Sequence, residues 1–413
     1  MADSNSRTAP NYMPALVVLT SLFFMWGLIT SLNDILIPHL KALFSLSYVQ
    51  AMLIQFCFFG AYFVMSFPSG YLVEKAGYRK GIIIGLVTAG IGCLGFYPAA
   101  SGQSYPLFLA SLFVLASGIT LLQVAANPFV AILGKPETSA SRLTLTQAFN
   151  SLGTTIGPFV GSTLILSAVA VTTGPIDVAN EIKTVQGPYI GLAVVLFLIA
   201  VVFAQFKLPA VTGESSAAGD SVGNDERSVW KHRHLVLGAI AIFVYVGGEV
   251  SIGSFLVNFL SQPDIGGMTE RHAGQYFVPL YWGGAMIGRF IGSFVMRTVA
   301  PQRVLAFNAV VVIVLLLVAM ASAGKVAMWA VLAIGLFNSI MFPTIFTLAI
   351  ARLGKHTGEG SGVLCMAIVG GALVPVLMGY FADQMGVLKA FFVPALCYCY
   401  IVFYGVKGYR VTG

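Results

Sequence analysis

Twelve long apolar runs leave this chain few ways to fold. They lie near residues 16–40, 48–73, 80–100, 105–133, 142–171, 187–207, 235–260, 272–298, 302–323, 326–353, 359–384 and 387–407. Each is about 20 residues or longer, the length at which a helix crosses the hydrocarbon of a bilayer. Lipid offers the backbone no water to bond, so each run must close its own hydrogen bonds as a helix. Composition agrees: 58% of the 413 residues are hydrophobic and 9% charged, where a soluble protein carries about a quarter charged. The expectation is an all-α integral membrane protein, twelve transmembrane helices in two six-helix bundles surrounded by lipid.

Basic residues set the orientation. With the termini inside, every Lys and Arg of the 22 falls in or near a cytoplasmic segment except Lys41, Lys183, Arg271, Lys325 and Lys389. Both termini are therefore expected in the cytoplasm. The first run is too long, and too marked by Gly, Asn and Asp at its end, for a cleaved signal peptide. The stretch TGESSAAGDSVGNDERS is small, polar and without periodicity, a flexible linker. The expected layout is a cytoplasmic segment 1–15, a bundle 16–207, a linker 208–234, a second bundle 235–407 and a tail 408–413. Two halves in the same orientation form the parallel-repeat plan of rocking carriers. The net charge of +7 is scattered along the loops and builds no basic face, so nucleic acid is not an expected partner.

Asp34 and Glu249 stand out because each lies inside an apolar run, one per half. A carboxylate at such depth costs about 2.5–3.5 kcal/mol on the mildest scale. A proton, a cation, a partner charge or a polar substrate in a hydrated cavity compensates it. Two buried acids, one per bundle, point to a cation-coupled carrier. The five cysteines sit in apolar runs without ligand spacing, and the histidines lie at span ends, so neither a metal nor another cofactor is expected. No HExxH or phosphate loop is present, which argues against a zinc peptidase of that type and against ATP-driven transport. Gly153, Gly157 and Gly161, and likewise Gly284, Gly288 and Gly292, recur every four residues. Such spacing lets helices approach closely, and the fifth and eighth helices are expected to meet through it where the halves join.

Residues 70–80, GYLVEKAGYRK, resemble the signature between helices two and three of the major facilitator superfamily. The resemblance implies a cytoplasmic gate, with Gly70 and Gly77 permitting a tight turn and Glu74, Arg79 and Lys80 supplying its charges. A narrower match rests on Trp26-Gly27, Asn33-Asp34, Ala125-Ala126-Asn127-Pro128, Arg142-Leu143 with Gln147 and Asn150, Tyr245-Val246-Gly247, Gly288-Arg289-Phe290 and Gly370-Gly371. These resemble the L-fucose/proton symporter family, in which the carboxylate matching Asp34 faces the central cavity. Those symporters carry glutamate where this chain has Gln123, while Glu249 and its neighbours resemble the glucose/galactose transporter branch.

A neutral monosaccharide needs amides, carboxylates and an aromatic face. Trp26, Asn33, Gln55, Gln123, Asn127, Gln147, Asn150, Tyr245, Asn258 and Asn338 are the expected substrate-binding residues, with Asp34 and Glu249 as coupling groups. The expected function is cation-coupled import of a glucose/galactose-type hexose by alternating access, with the proton as coupling ion. Sodium coupling and L-fucose/proton symport stand as alternatives. A transport-dead sugar sensor, or a carrier of another solute, is the rival of a different class. A monomer in a bacterial cytoplasmic membrane is the expected setting.

Overall fold

The computed structural model describes residues 12–43, 48–161, 178–205 and 229–411; the side chains of residues 32–43, 48–52, 55, 158–161 and 178–185 lie outside that description. Asn33, Asp34 and Gln55 are thus placed along their helices but their side chains are outside the described set, as is most of the linker. The first half comprises α1 (Met13–Leu43), α2 (Tyr48–Ala76), α3 (Tyr78–Ser101), α4 (Tyr105–Ile132), α5 (Ser139–Gly161) and α6 (Val178–Gln205). The second comprises α7 (Arg233–Leu260), α8 (Val278–Val295), α9 (Pro301–Ala321), the broken pair α10 (Gly324–Asn338) and α11 (Met341–Ala349), the broken pair α12 (Thr357–Met366) and α13 (Gly370–Met385), and α14 (Phe392–Phe403). Ten helices among the described residues are long and apolar enough to cross a membrane. Neither α5 nor α8 is among them, and these two carry Gln147, Asn150 and Arg289.

Each half is held together by glycines that let backbones touch. A Cβ on Gly27 of α1 would lie 2.0 Å from the Asn150 carbonyl oxygen of α5, and one on Gly153 would lie 2.2 Å from Phe24 O. Gly157 meets Ser31 of α1 in the same way, and Ser31 Oγ donates to Thr154 O at 3.0 Å. On α8, Gly284, Gly288 and Gly292 face Leu336, Ser339 and Ile340. The described glycines of both series therefore bind helices within their own halves, which corrects the expectation that they form the junction. They are occupied by close packing inside each bundle, against backbone or short side chains.

The junction itself is built from other residues. Ser141 Oγ of α5 donates to Ser293 O of α8 at 2.6 Å, and the rings of Phe149 and Phe290 meet edge-on at 5.8 Å. On the other side of the seam α12 lies against α2 and α4. A Cβ on Gly70 would be 2.9 Å from Gly358 O, one on Gly362 would be 2.7 Å from Ser66 O, and Ser361 Oγ donates to Val124 O at 2.8 Å. Gly70 lies within α2 and makes no turn; its missing side chain admits α12. Gly77 does make the turn, with φ +83° between α2 and α3, a left-handed conformation that favours glycine. The halves are thus closed on the face bearing Glu74.

Candidate functional site

Where α10 breaks into α11, two carbonyls lose their helical donors, and polar side chains of the second half take them. Tyr245 of α7 donates its hydroxyl to Asn338 O at 3.1 Å, and Arg289 Nε of α8 donates to Ser339 O at 3.1 Å. Asn338 Nδ2 donates in turn to Tyr281 Oη at 3.0 Å. Tyr245, Tyr281 and Asn338 are fully enclosed. Glu249 sits one turn beyond Tyr245 on α7, close enough to feel the Arg289 charge. Its Oε1 is enclosed and has no hydrogen-bond partner. A buried polar atom left unmatched costs about 1–3 kcal/mol, a cost that a proton or an incoming hydroxyl removes.

The Arg289 guanidinium also reaches across the seam. Its Nη1 donates to Gln147 O at 3.4 Å and to the Ser151 hydroxyl, both on α5. Ser151 Oγ donates to Gln147 O at 3.1 Å, which leaves its lone pairs for Arg289. On the first half, Gln147 Nε2 donates to Asn127 Oδ1 at 3.3 Å, joining α5 to α4. Both amides are buried, and Asn127 Nδ2 is enclosed without a partner. Gln123, one turn before Asn127, is half-buried and accepts a weak contact from Cys365 Sγ of α12 at 3.9 Å.

The structure therefore brings together Asn127 and Gln147 from the first half with Tyr245, Glu249 and Asn338 from the second, through Arg289, and sets Gln123 at the seam beside Cys365. Three expected residues sit apart from this cluster. Trp26 is buried beside Leu86, Ile119 and Leu196, an apolar pocket inside the first bundle. Asn150 donates to Phe23 O at 2.9 Å and so fastens α5 to α1. Asn258 is exposed near the far end of α7. Of the gate residues, Glu74 is exposed beside the first turn of α12, whereas Arg79 turns to the Phe203 and Ala204 carbonyls at the end of α6. Lys80 is exposed. Arg289 and Ser151 were absent from the expected site. The signal for Arg289 was present: an intramembrane charge, subject to the same rule that singled out the two acids.

Two open grooves of about 440 and 550 Å³ lie elsewhere, one against α8 and α9 beside Ile291 and Phe307, the other against α1 and α5 beside Phe24 and Phe149. Their walls are nearly all apolar and offer a polyol almost no partner.

Known proteins align with this architecture. The Major Facilitator Superfamily model matches residues 18–374. A glucose/galactose transporter of Brucella abortus is 59% identical over 405 residues, spanning 98% of this chain and 96% of that one. The L-fucose-proton symporter of Escherichia coli is 35% identical over 417 residues, spanning 97% and 94%. A crystal structure of the E. coli fucose:proton symporter superposes with a TM-score of 0.88 at 33% identity, covering 98% of this chain and all of that one, and a second structure, in the outward conformation, gives the same TM-score. The chain belongs to the Major Facilitator Superfamily, among relatives that include the glucose/galactose transporters and the L-fucose–proton symporters.

Proposed function

We propose that this protein is a symporter that imports a glucose/galactose-type hexose with a proton, in a bacterial cytoplasmic membrane, as a monomer with both termini in the cytoplasm. The observation that carries the substrate is the 59% identity, over nearly the whole chain, to a protein named as a glucose/galactose transporter. The seam supports it: Gln123, Asn127 and Gln147 supply amides and Tyr245 and Glu249 an aromatic and an acid, a donor set suited to neutral hydroxyls. Gln123 in place of a glutamate separates it from the L-fucose type. Relatives aligned over nearly the whole chain are named as transporters, which supports transport without catalysis.

Glu249 carries the coupling in the second half. The one proton of Tyr245 is committed to Asn338 O. Glu249 Oε1 is enclosed without a partner, a position that suits a protonated carboxyl. A protonated Glu249 exerts no pull on Arg289, leaving the guanidinium to hold Ser151 and Gln147 and keep the Glu74 face shut. With sugar and proton both bound the seam opens, the proton leaves to the cytoplasm, and the restored carboxylate then draws Arg289 toward its own half. Asp34 is the partner coupling group on α1. Sugar binding between the halves favours the state in which both halves contact it, the differential affinity that any population shift requires.

The test is radiolabelled glucose and galactose uptake in proteoliposomes, with proton and sodium gradients imposed separately and L-fucose as competitor. Accumulation driven by the proton gradient alone is expected. Accumulation driven only by sodium, or uptake of L-fucose in preference to hexose, overturns the reading.

A further inference from the structure

On the Glu74 face, three side chains from the two halves converge. Glu74 lies near the end of α2, His356 in the turn before α12, and Glu359 in the first turn of α12. One ligand atom from each lies within 4.8 Å of the other two, and His356 Nδ1 is 3.5 Å from Glu359 Oε2. Both ring nitrogens of His356 are enclosed and without a hydrogen-bond partner, although the side chains of His356 and Glu359 remain 17% and 25% exposed. The His232 ring lies 6.2 Å from that of His356, and its Nε2 is likewise enclosed and unpartnered. Buried polar atoms normally find a hydrogen-bond partner, and the His356 ring has only the ion-pair contact to Glu359.

We propose that Glu74, His356 and Glu359 form a binding site for a zinc-like divalent cation that staples the two halves together while the Glu74 face is closed. One imidazole nitrogen and two carboxylate oxygens are a donor set used for Zn²⁺, at about 2.0–2.2 Å each. The 3.5 Å between His356 and Glu359 is close to one edge of a tetrahedron of that size, about 3.3 Å. Glu74 closes the remaining distance by a side-chain rotation, and water, which reaches the site, fills the open position. Lys355, exposed and close enough for its charge to act on Glu74, has a flexible stem that lets it swing away as the cation enters. The donors come from both halves, so the site exists only while α12 lies against α2. A cation held there stabilises the closed state by mass action.

Two measurements on tag-free protein in detergent test this. Equilibrium dialysis with Zn²⁺ should show one site per chain that is lost in His356→Ala and in Glu359→Gln. The alkylation rate of Cys365, which is fully buried at the seam, should fall about tenfold at a Zn²⁺ concentration ten times the dissociation constant. In His356→Ala it should not change. Sugar uptake by His356→Ala without zinc checks that this variant is folded, and Glu359→Gln serves if it is not. Wild-type zinc binding equal to that of both variants overturns the site. Protection of Cys365 by Mg²⁺ as strong as by Zn²⁺ overturns the histidine ligation, and zinc bound without protection overturns the staple. Each of these results is independent of whether zinc-free protein carries hexose with a proton, so failure of the site and failure of the transport reading are distinguishable.

Discussion

Ser151→Ala isolates the contact on which the closed seam most depends. The hydroxyl of Ser151 accepts from Arg289 of the other half, while its own proton goes back to Gln147 O on the same helix. The substitution leaves the glycine packing of α5 on α1 untouched, and alanine favours the helix. A hydrogen bond to a charged donor contributes about 1.5–3 kcal/mol, and across the seam Arg289 keeps the longer contact to Gln147 O at 3.4 Å. The closed state should lose that amount relative to any state with α5 and α8 apart. At about 1.4 kcal/mol per decade, the open fraction rises about 10- to 100-fold. Cys365 is a native reporter: it is fully buried, and its thiol faces Gln123 across the seam. Its alkylation by a neutral maleimide, followed by mass spectrometry of the Cys365 peptide, separates it from the exposed Cys399 and the half-buried Cys57. When opening is fast relative to reaction, the rate follows the open fraction. A rate in Ser151→Ala within twofold of wild type would show that Arg289 does not hold the halves together.

The remaining predictions probe the other parts of the argument. Gly70→Leu puts a side chain where the first added atom already lies 2.9 Å from Gly358 O; about 1–3 kcal/mol of overpacking should part the seam, speeding Cys365 alkylation with little change in melting temperature. Gly153→Leu, 2.2 Å from Phe24 O within one bundle, should instead lower the melting temperature, and identical behaviour of the two variants contradicts the assignment of permanent and separable contacts. Asp34→Asn and Glu249→Gln should each abolish gradient-driven accumulation in proteoliposomes while keeping sugar exchange; full uphill uptake by either removes that acid from the coupling. Gln123→Glu should move the competition profile toward L-fucose, and an unchanged profile across several sugars argues against Gln123 as a specificity residue.

The fold was legible because the bilayer acts on every residue of a run at once. Length and apolarity decide a span without reference to any partner. The site was legible only where one residue type carries the whole signal, as Glu249 does by being charged at depth. Roles that depend on a neighbour from the other half were not. Asn150 and Gln147 lie on the same helix, three residues apart, yet one fastens α5 to α1 and the other bonds Asn127. Nothing in their spacing distinguishes a permanent contact from one at a moving seam. The glycine series were read at the wrong boundary for the same reason, since spacing reports that a close approach exists and not which helix makes it. Glu74 and His356 are far apart in the chain, so no ligand spacing could announce them.

The division of labour among contacts follows from what a carrier has to do. A junction that opens in each cycle must exchange its contacts for water without a large barrier. Hydrogen bonds meet that condition, because water replaces them and the net change is about 0.5–1.5 kcal/mol each. Apolar area does not, at about 25 cal/mol for each Å² re-exposed. The seam's polar contacts, at Ser141, Ser151, Arg289 and Ser361, are of the first kind, beside one ring pair, Phe149 and Phe290; α5 and α8, which carry three of those four, are not among the helices apolar enough to cross a membrane. Arg289 alone costs more to release, as a charged donor, and it is also the one with an acid within reach of its charge in its own half. Once the loaded carrier has opened and Glu249 has lost its proton to the cytoplasm, the carboxylate holds the freed guanidinium in its own half, so the strongest bond across the seam is the one the coupling acid competes for.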